Sequence, residues 1–161
     1  MSVRLYFLRH GQAGSRHKWQ GDDSVRPLTA RGKQRMKREA AAIRTMDLRL
    51  DLILTSPLAR ARKTAEIVAK ALGLGARLVT DPRLAPGFGP GQLRALLAKH
   101  RNVAALMLVG HEPDFSRTIS HLIGGGRLDV KKGALALVEL ADRTSLRGRL
   151  VWLIPPKALD R

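Results

Sequence analysis

The chain has 161 residues, enough for a single domain that buries roughly 70% of its unfolded surface, and its 44% hydrophobic content excludes disordered and fibrous classes. It contains no cysteine, which excludes disulfides and thiolate chemistry and fits a reducing compartment. The net charge of +17, from 30 basic and 13 acidic residues, draws in anions of any kind, but a 4% aromatic content and the scattering of the basic residues argue against a nucleic-acid surface built on base stacking.

Along the chain, Val3 to Leu8 is a short apolar run that reads as a buried strand. Its apolar core is too short for a secretion signal. No run approaches the roughly 20 apolar residues of a membrane span, so the expectation is a cytoplasmic protein with no membrane partner. A long polar stretch, Gly11 to Pro27, follows; connections of this length are often functional. Thr29 is a predicted N-cap for a helix through about Met46, with Met36, Ala40 and Ile43 on one face. Leu52 to Leu54 reads as a strand. Ser56-Pro57 then reads as a helix start, with Ser as N-cap and Pro at the first helical position, and Gly73 as the stop. Arg77 to Val79 is a short strand, Pro82 to Gly91 a loop, and Gln92 to Lys99 a helix. Ala104 to Val109 is a strong buried strand, and Asp114 to Ile123 a helix closed by Gly124-Gly125-Gly126. Ala134 to Leu140 and Leu150 to Ile154 are late strands that form a paired edge. This alternation predicts one α/β domain over residues 1–161, with a mainly parallel sheet.

Three polar clusters fall at the carboxyl ends of predicted strands, where open α/β sheets bind ligands. They are Arg9-His10-Gly11, Ser56 through Arg60, and Gly110-His111-Glu112. Arg60 lies in the first turn of its helix, where the dipole disfavours a cation; an anion bound there explains it, although a plain surface arginine fits the same position. On the predicted helix it shares a stripe with Thr64, Ile67 and Ala71, opposite a solvent arc of Arg62, Lys63, Glu66 and Lys70. His10 is a competent nucleophile if one ring nitrogen is free, with Gly11 allowing close approach of a phosphoryl group and Arg9 gripping its oxygens. Each histidine alone fits a polar rim residue equally well. Neither has a partner at metal-ligand spacing, so no metal is expected.

Leu8-Arg9-His10-Gly11, Ser56-Pro57-Leu58-Ala59-Arg60 through Thr64, and Val109-Gly110-His111 together resemble the three ordered motifs of the histidine phosphatase superfamily, the phosphoglycerate-mutase-like enzymes. Asp23 through Thr29 resembles the segment after the first motif in its small SixA-type phosphohistidine phosphatases. The resemblance covers nearly the whole chain. It implies a three-layer α/β/α sandwich, a phosphorylated His10, a cationic pocket of Arg9, Arg60 and His111 with Gly11 on the phosphate, and no cofactor. Many relatives insert a lid subdomain carrying a glutamate acid. Here the stretch between Glu66 and Glu112 holds one carboxylate, Asp81, and Ala85-Pro86-Gly87 stands where the glutamate is found; residue 12 is Gln where an acid is frequent. There is no room for a lid.

A general acid contributes roughly 10²–10⁴-fold when the leaving group is poor. Its loss points to P–N bonds or to esters with good leaving groups, with Asp23 as either a proton donor or a positioning group. The expected partner is a phosphorylated protein, such as a histidine phosphotransfer domain, or a small phosphate ester. The competing readings are a small-molecule phosphomonoesterase of the same superfamily and a non-catalytic binder of phosphoprotein or nucleic acid.

Overall fold

In a computed structural model, which describes residues 2–161, the chain forms one six-stranded sheet of order β3-β2-β4-β1-β5-β6. The strands are β1 (Val3–Arg9), β2 (Leu52–Thr55), β3 (Leu78–Thr80), β4 (Ala105–Gly110), β5 (Leu135–Leu140) and β6 (Gly148–Ile154). The helices are α1 (Ala30–Thr45), α2 (Ala59–Leu72), α3 (Pro90–Lys99), α4 (Asp114–Ile123) and α5 (Pro156–Leu159). The first four strands run parallel; β5 joins β1, and β6 joins β5, antiparallel.

The parallel strands are continuous apolar runs because helices cover both faces of the sheet. Successive side chains of β1 feed opposite cores. Leu5 and Phe7 pack with α3 and α4 through Leu93, Leu96, Phe115 and Ile119. Tyr6 and Leu8 pack with α1, α2 and α5 through Met36, Ile43, Val68 and Leu159. The architecture is the expected three-layer α/β/α sandwich. No lid interrupts it: from α2 to β4 the chain passes through β3 and α3, and Leu84, Leu93, Leu96 and Leu97 are all buried.

Several expectations shift. Thr29 does cap α1, its hydroxyl accepting the Gly32 N–H at 2.9 Å, and Gly73 ends α2 in the left-handed region at φ 69°. Helix α2, however, starts at Ala59 rather than at Ser56-Pro57. Ser56 precedes it as a turn, its Oγ accepting the Leu58 N–H at 3.1 Å. The buried stripe of α2 is rotated from the predicted one: Arg60, Ala61, Thr64, Ala65, Val68 and Ala69 face inward, while Ile67 and Ala71 are half-buried. The small alanines let α2 lie close to β2 and β4, which a count by residue size does not anticipate. Of the two late strands only β6 is a sheet edge, with β3 at the opposite edge; β5 is internal, between β1 and β6.

Glu39 of α1 is fully buried, and neither carboxylate oxygen has a hydrogen-bond partner. The nearest cation is Arg35, 3.6 Å away and also paired to Asp160. Burial pushes the Glu39 carboxyl up to about 8, against the pull of Arg35. The carboxylate lies against Gly133, where a Cβ would meet its oxygens at 2.7 and 2.8 Å; with φ at +84°, glycine is required there on both counts. An unfolded glutamate loses its proton near 4.5, the folded one near 8, so stability contributed by this group falls as pH rises between those values. Glu39→Gln has no proton to lose. Its stability advantage over the wild type, measured by urea unfolding, is expected to grow from pH 5 to pH 8 by up to about 1.4 kcal/mol per pH unit; a constant difference across that range contradicts a neutral buried Glu39.

Candidate active site

The site forms at the carboxyl ends of β1, β2 and β4. β1 and β4 are parallel neighbours with Arg9 opposite Gly110, and the His10 N–H donates to the Gly110 carbonyl at 3.0 Å. The next residue of each strand therefore emerges at the same height. His10 and His111 stand side by side, ring centroids 5.3 Å apart. β2 places Ser56 beside them: its N–H donates to the Val109 carbonyl at 3.0 Å, and its Oγ lies 2.8 Å from Nε2 of His111. The first turn of α2 then delivers Arg60, 6% exposed.

Nδ1–H of His10 donates to the Gly11 carbonyl at 2.7 Å, which leaves Nε2 as the free nitrogen. Burial holds the His10 pKa down at about 3; the Gly11 carbonyl opposes this, and His111, Arg60 and Arg9 reinforce it. His111 is lowered to about 4, first by burial and then by Arg60. Both rings are neutral at physiological pH. Nδ1 of His111 and Nε of Arg9 and Arg60 are buried without a partner. Arg9 is anchored at its other end, Nη1 donating to the Val130 carbonyl at 3.0 Å.

Gly11 departs from its expected role. Its N–H is taken by Thr64 Oγ1 at 3.0 Å, and that hydroxyl donates to the Arg60 carbonyl at 2.8 Å. A Cβ here would lie 2.6 Å from Met36 Cγ, so the close approach that requires glycine is to α1. Gly11 orients His10 through its carbonyl, while its amide is spent on α2.

Asp23 reaches the site from the long β1–α1 connection. Arg26 Nε donates to its Oδ1 at 2.8 Å, and Arg60 Nη2 to its Oδ2 at 3.0 Å. The hydrogen bond from Arg26, with Arg60 adding to it, holds the Asp23 carboxyl below its usual range. A carboxylate kept ionised by two guanidinium groups is a poor proton donor, so the arrangement favours the positioning role of the two anticipated. The sequence thus names Arg9, His10, Gly11, Asp23, Arg60 and His111, and the fold brings all six together. It does not reveal that Ser56 bonds His111, that Thr64 bridges two motifs, or that Lys132 from beyond β4 joins them.

A cavity of about 430 Å³ opens onto Arg9, His10, Arg26, Arg60, His111 and Lys132. On its wall, Glu112 Oε1 accepts the Ser116 N–H at 2.7 Å, and Asp114 Oδ2 accepts the Gly87 N–H at 2.8 Å. Among the described residues, no three His, Cys, Asp or Glu side chains gather closely enough to hold a metal ion. Desolvated guanidinium groups around neutral imidazoles make a receptor for a tetrahedral oxyanion.

Residues 5–90 match the family model of the histidine phosphatase superfamily (branch 1). The chain belongs to that superfamily. It is 39% identical over 169 residues to an uncharacterized protein of Picosynechococcus sp. (strain ATCC 27264 / PCC 7002 / PR-6), covering 98% of this chain and 99% of that protein. It is 29% identical over 157 residues to the phosphohistidine phosphatase SixA of Escherichia coli (strain K12), covering 96% of this chain and 94% of that protein. A solved structure of the protein histidine phosphatase SixA complexed with tungstate superimposes with a TM-score of 0.85 at 28% identity, covering 98% and 99% of the two chains. These likenesses support a phosphatase. No helix among the described residues is long and apolar enough to cross a membrane.

The depressed histidines give a direct expectation. In heteronuclear NMR, the ring nitrogens of His10 and His111 are expected to stay in the neutral form from pH 8 down to about pH 5. Either ring protonating near 6.5 contradicts the buried, arginine-flanked setting. Because an unfolded histidine takes up a proton near 6.5 and these do not, their contribution to stability declines as pH falls below that value.

Proposed function

We propose that this chain hydrolyses phosphohistidine on a protein through a phosphorylated His10. The observation that carries this reading is the His10 ring: neutral, fixed by Gly11 through Nδ1, with Nε2 free beside a cavity of guanidinium groups. In the first step the Nε2 lone pair attacks phosphorus. The P–N bond to the substrate imidazole breaks, and that imidazole takes a proton from solvent. In the second step water attacks the phosphorus of phospho-His10. The P–Nε2 bond breaks, the ring recovers its lone pair, the water proton passes to solvent, and inorganic phosphate leaves. Arg9 and Arg60 offset the charge that builds on the phosphoryl oxygens, and the neutral His111 ring serves as a hydrogen-bonding group beside them, with no metal or cofactor in the scheme. Asp23 fixes Arg60 and Arg26 for that task.

Two features of the pocket support a protein substrate. Asp23 is held ionised, and no lid shelters a small metabolite. An uncovered pocket admits a phosphorylated side chain on a folded partner, such as a histidine phosphotransfer domain. The net charge of +17 favours an acidic one. The naming of the E. coli relative as a phosphohistidine phosphatase supports the same reading. The alternative, a small phosphate ester, fits the cavity volume and is decided by a panel of phosphohistidine peptide, aryl phosphates and sugar phosphates compared by kcat/KM.

Brief reaction with a labelled phosphoryl donor, quenched in alkali, is expected to trap phosphate on His10. No label, or label retained in His10→Ala, ends the covalent mechanism. Rates are also expected to fall steeply as the leaving group becomes more basic. Asp23→Asn is expected to reduce kcat/KM for phosphohistidine and for aryl phosphates alike, on the order of 10²-fold, as misplacement of the arginines predicts. A loss confined to esters with basic leaving groups marks Asp23 as an acid instead.

A further inference from the structure

Resting on the phosphatase reading above, we propose that Lys132 is a substrate-binding residue whose ammonium contacts the phosphoryl group in the same pocket as Arg9 and Arg60. Lys132 comes from the turn between α4 and β5, away from all three sequence motifs. That turn is bonded to the strand that carries His10. The Gly133 N–H donates to the carbonyls of Arg9 at 3.1 Å and His10 at 3.2 Å, Arg9 donates to the carbonyl of Val130, and the Ala134 N–H closes the turn on Lys131 at 2.8 Å. Lys132 lines the cavity shared by His10, His111 and the guanidinium groups.

Its electrostatic position is unfavourable without a ligand. Lys132 is exposed at the cavity mouth, yet partial desolvation lowers its pKa, and the next contributors are Arg9, Arg26 and Arg60, three like charges. No carboxylate pairs with it among the described residues, whereas Lys131 beside it pairs with Asp129 at 3.9 Å. Of the carboxylates that line the pocket, Asp23 is occupied by Arg26 and Arg60, Glu112 by the Ser116 N–H and Asp114 by the Gly87 N–H. A cation held against three others gains most from a bound dianion, which reverses the sign of its surroundings. Lys132 also borders a second, smaller cavity lined by Glu39, whose carboxyl oxygens have no hydrogen-bond partner. A role as partner to Glu39 is therefore the specific rival, and it makes a different prediction.

The test uses tungstate as an oxyanion probe, titrated calorimetrically into the full-length protein at fixed salt. Lys132→Met, which keeps the length and removes the charge, is expected to weaken tungstate binding about tenfold, and Lys132→Arg to restore most of it. Lys131→Met, one residue away and outside the cavity, is expected to bind within twofold of wild type. Unchanged binding by Lys132→Met overturns the proposal, as does an equal loss in Lys131→Met, which would reflect only the general field. Wild-type binding with unchanged tungstate affinity in Lys132→Met, but a shifted pH dependence of unfolding, assigns Lys132 to Glu39. Failure of the wild type to bind tungstate at all overturns the phosphatase reading itself. The two failures are therefore distinct.

Discussion

The in-register parallel pairing of β1 with β4 is the constraint on which the site depends. Arg9 sits opposite Gly110, so the chain leaves both strands at one level and the two histidines meet. Side chains alternate between the two faces of a strand, so a slip of one residue would send one ring to each side of the sheet. The apolar interior prevents the slip: Leu5 and Phe7 on one face and Tyr6 and Leu8 on the other are all fully buried. The core is thus the gauge that sets the distance between two imidazoles. The main-chain bond from His10 to Gly110 extends that register one residue past the sheet.

Charge is then arranged against its own preference. Arg9 and Arg60 are desolvated, Arg26 is 7% exposed, and both histidines are kept neutral by burial. Asp23 balances two of the arginines. The remainder is an excess of positive potential in a small volume. Such a volume binds an oxyanion strongly and excludes a proton from the imidazoles, and these are the two conditions that the proposed nucleophilic role of His10 requires.

Much of this is legible in the sequence because it is local. Strand ends, the Thr29 cap, the Gly73 stop and the three motifs each occupy a few adjacent residues. What escapes is pairing across distance. Ser56-Pro57 has the composition of a helix start, but the Ser56 hydroxyl faces His111, 55 positions on, and α2 opens later. The buried stripe of α2 follows alanines, whose small size hides their importance for close packing. Gly11 looks like a phosphate contact, yet it is small because Met36 is near. Glu39 is invisible as a core residue since no pattern anticipates a carboxylate there. Lys132 is one of 30 basic residues, and only the fold distinguishes it from the others.

The hydroxyl of Thr64 ties together parts that the chain keeps 53 residues apart. It has a single proton, given to the Arg60 carbonyl, so its lone pair is left for the Gly11 amide. That fixes the direction of both bonds. The loop that aims His10 and the turn that carries Arg60 are consequently joined by two short polar links rather than by packing alone. Apolar contacts tolerate sliding of a few tenths of an ångström; hydrogen bonds lose strength quickly when bent. When the sheet and α2 fluctuate against each other, these two groups travel together, and the spacing between ring and guanidinium is buffered from the breathing of the rest of the molecule.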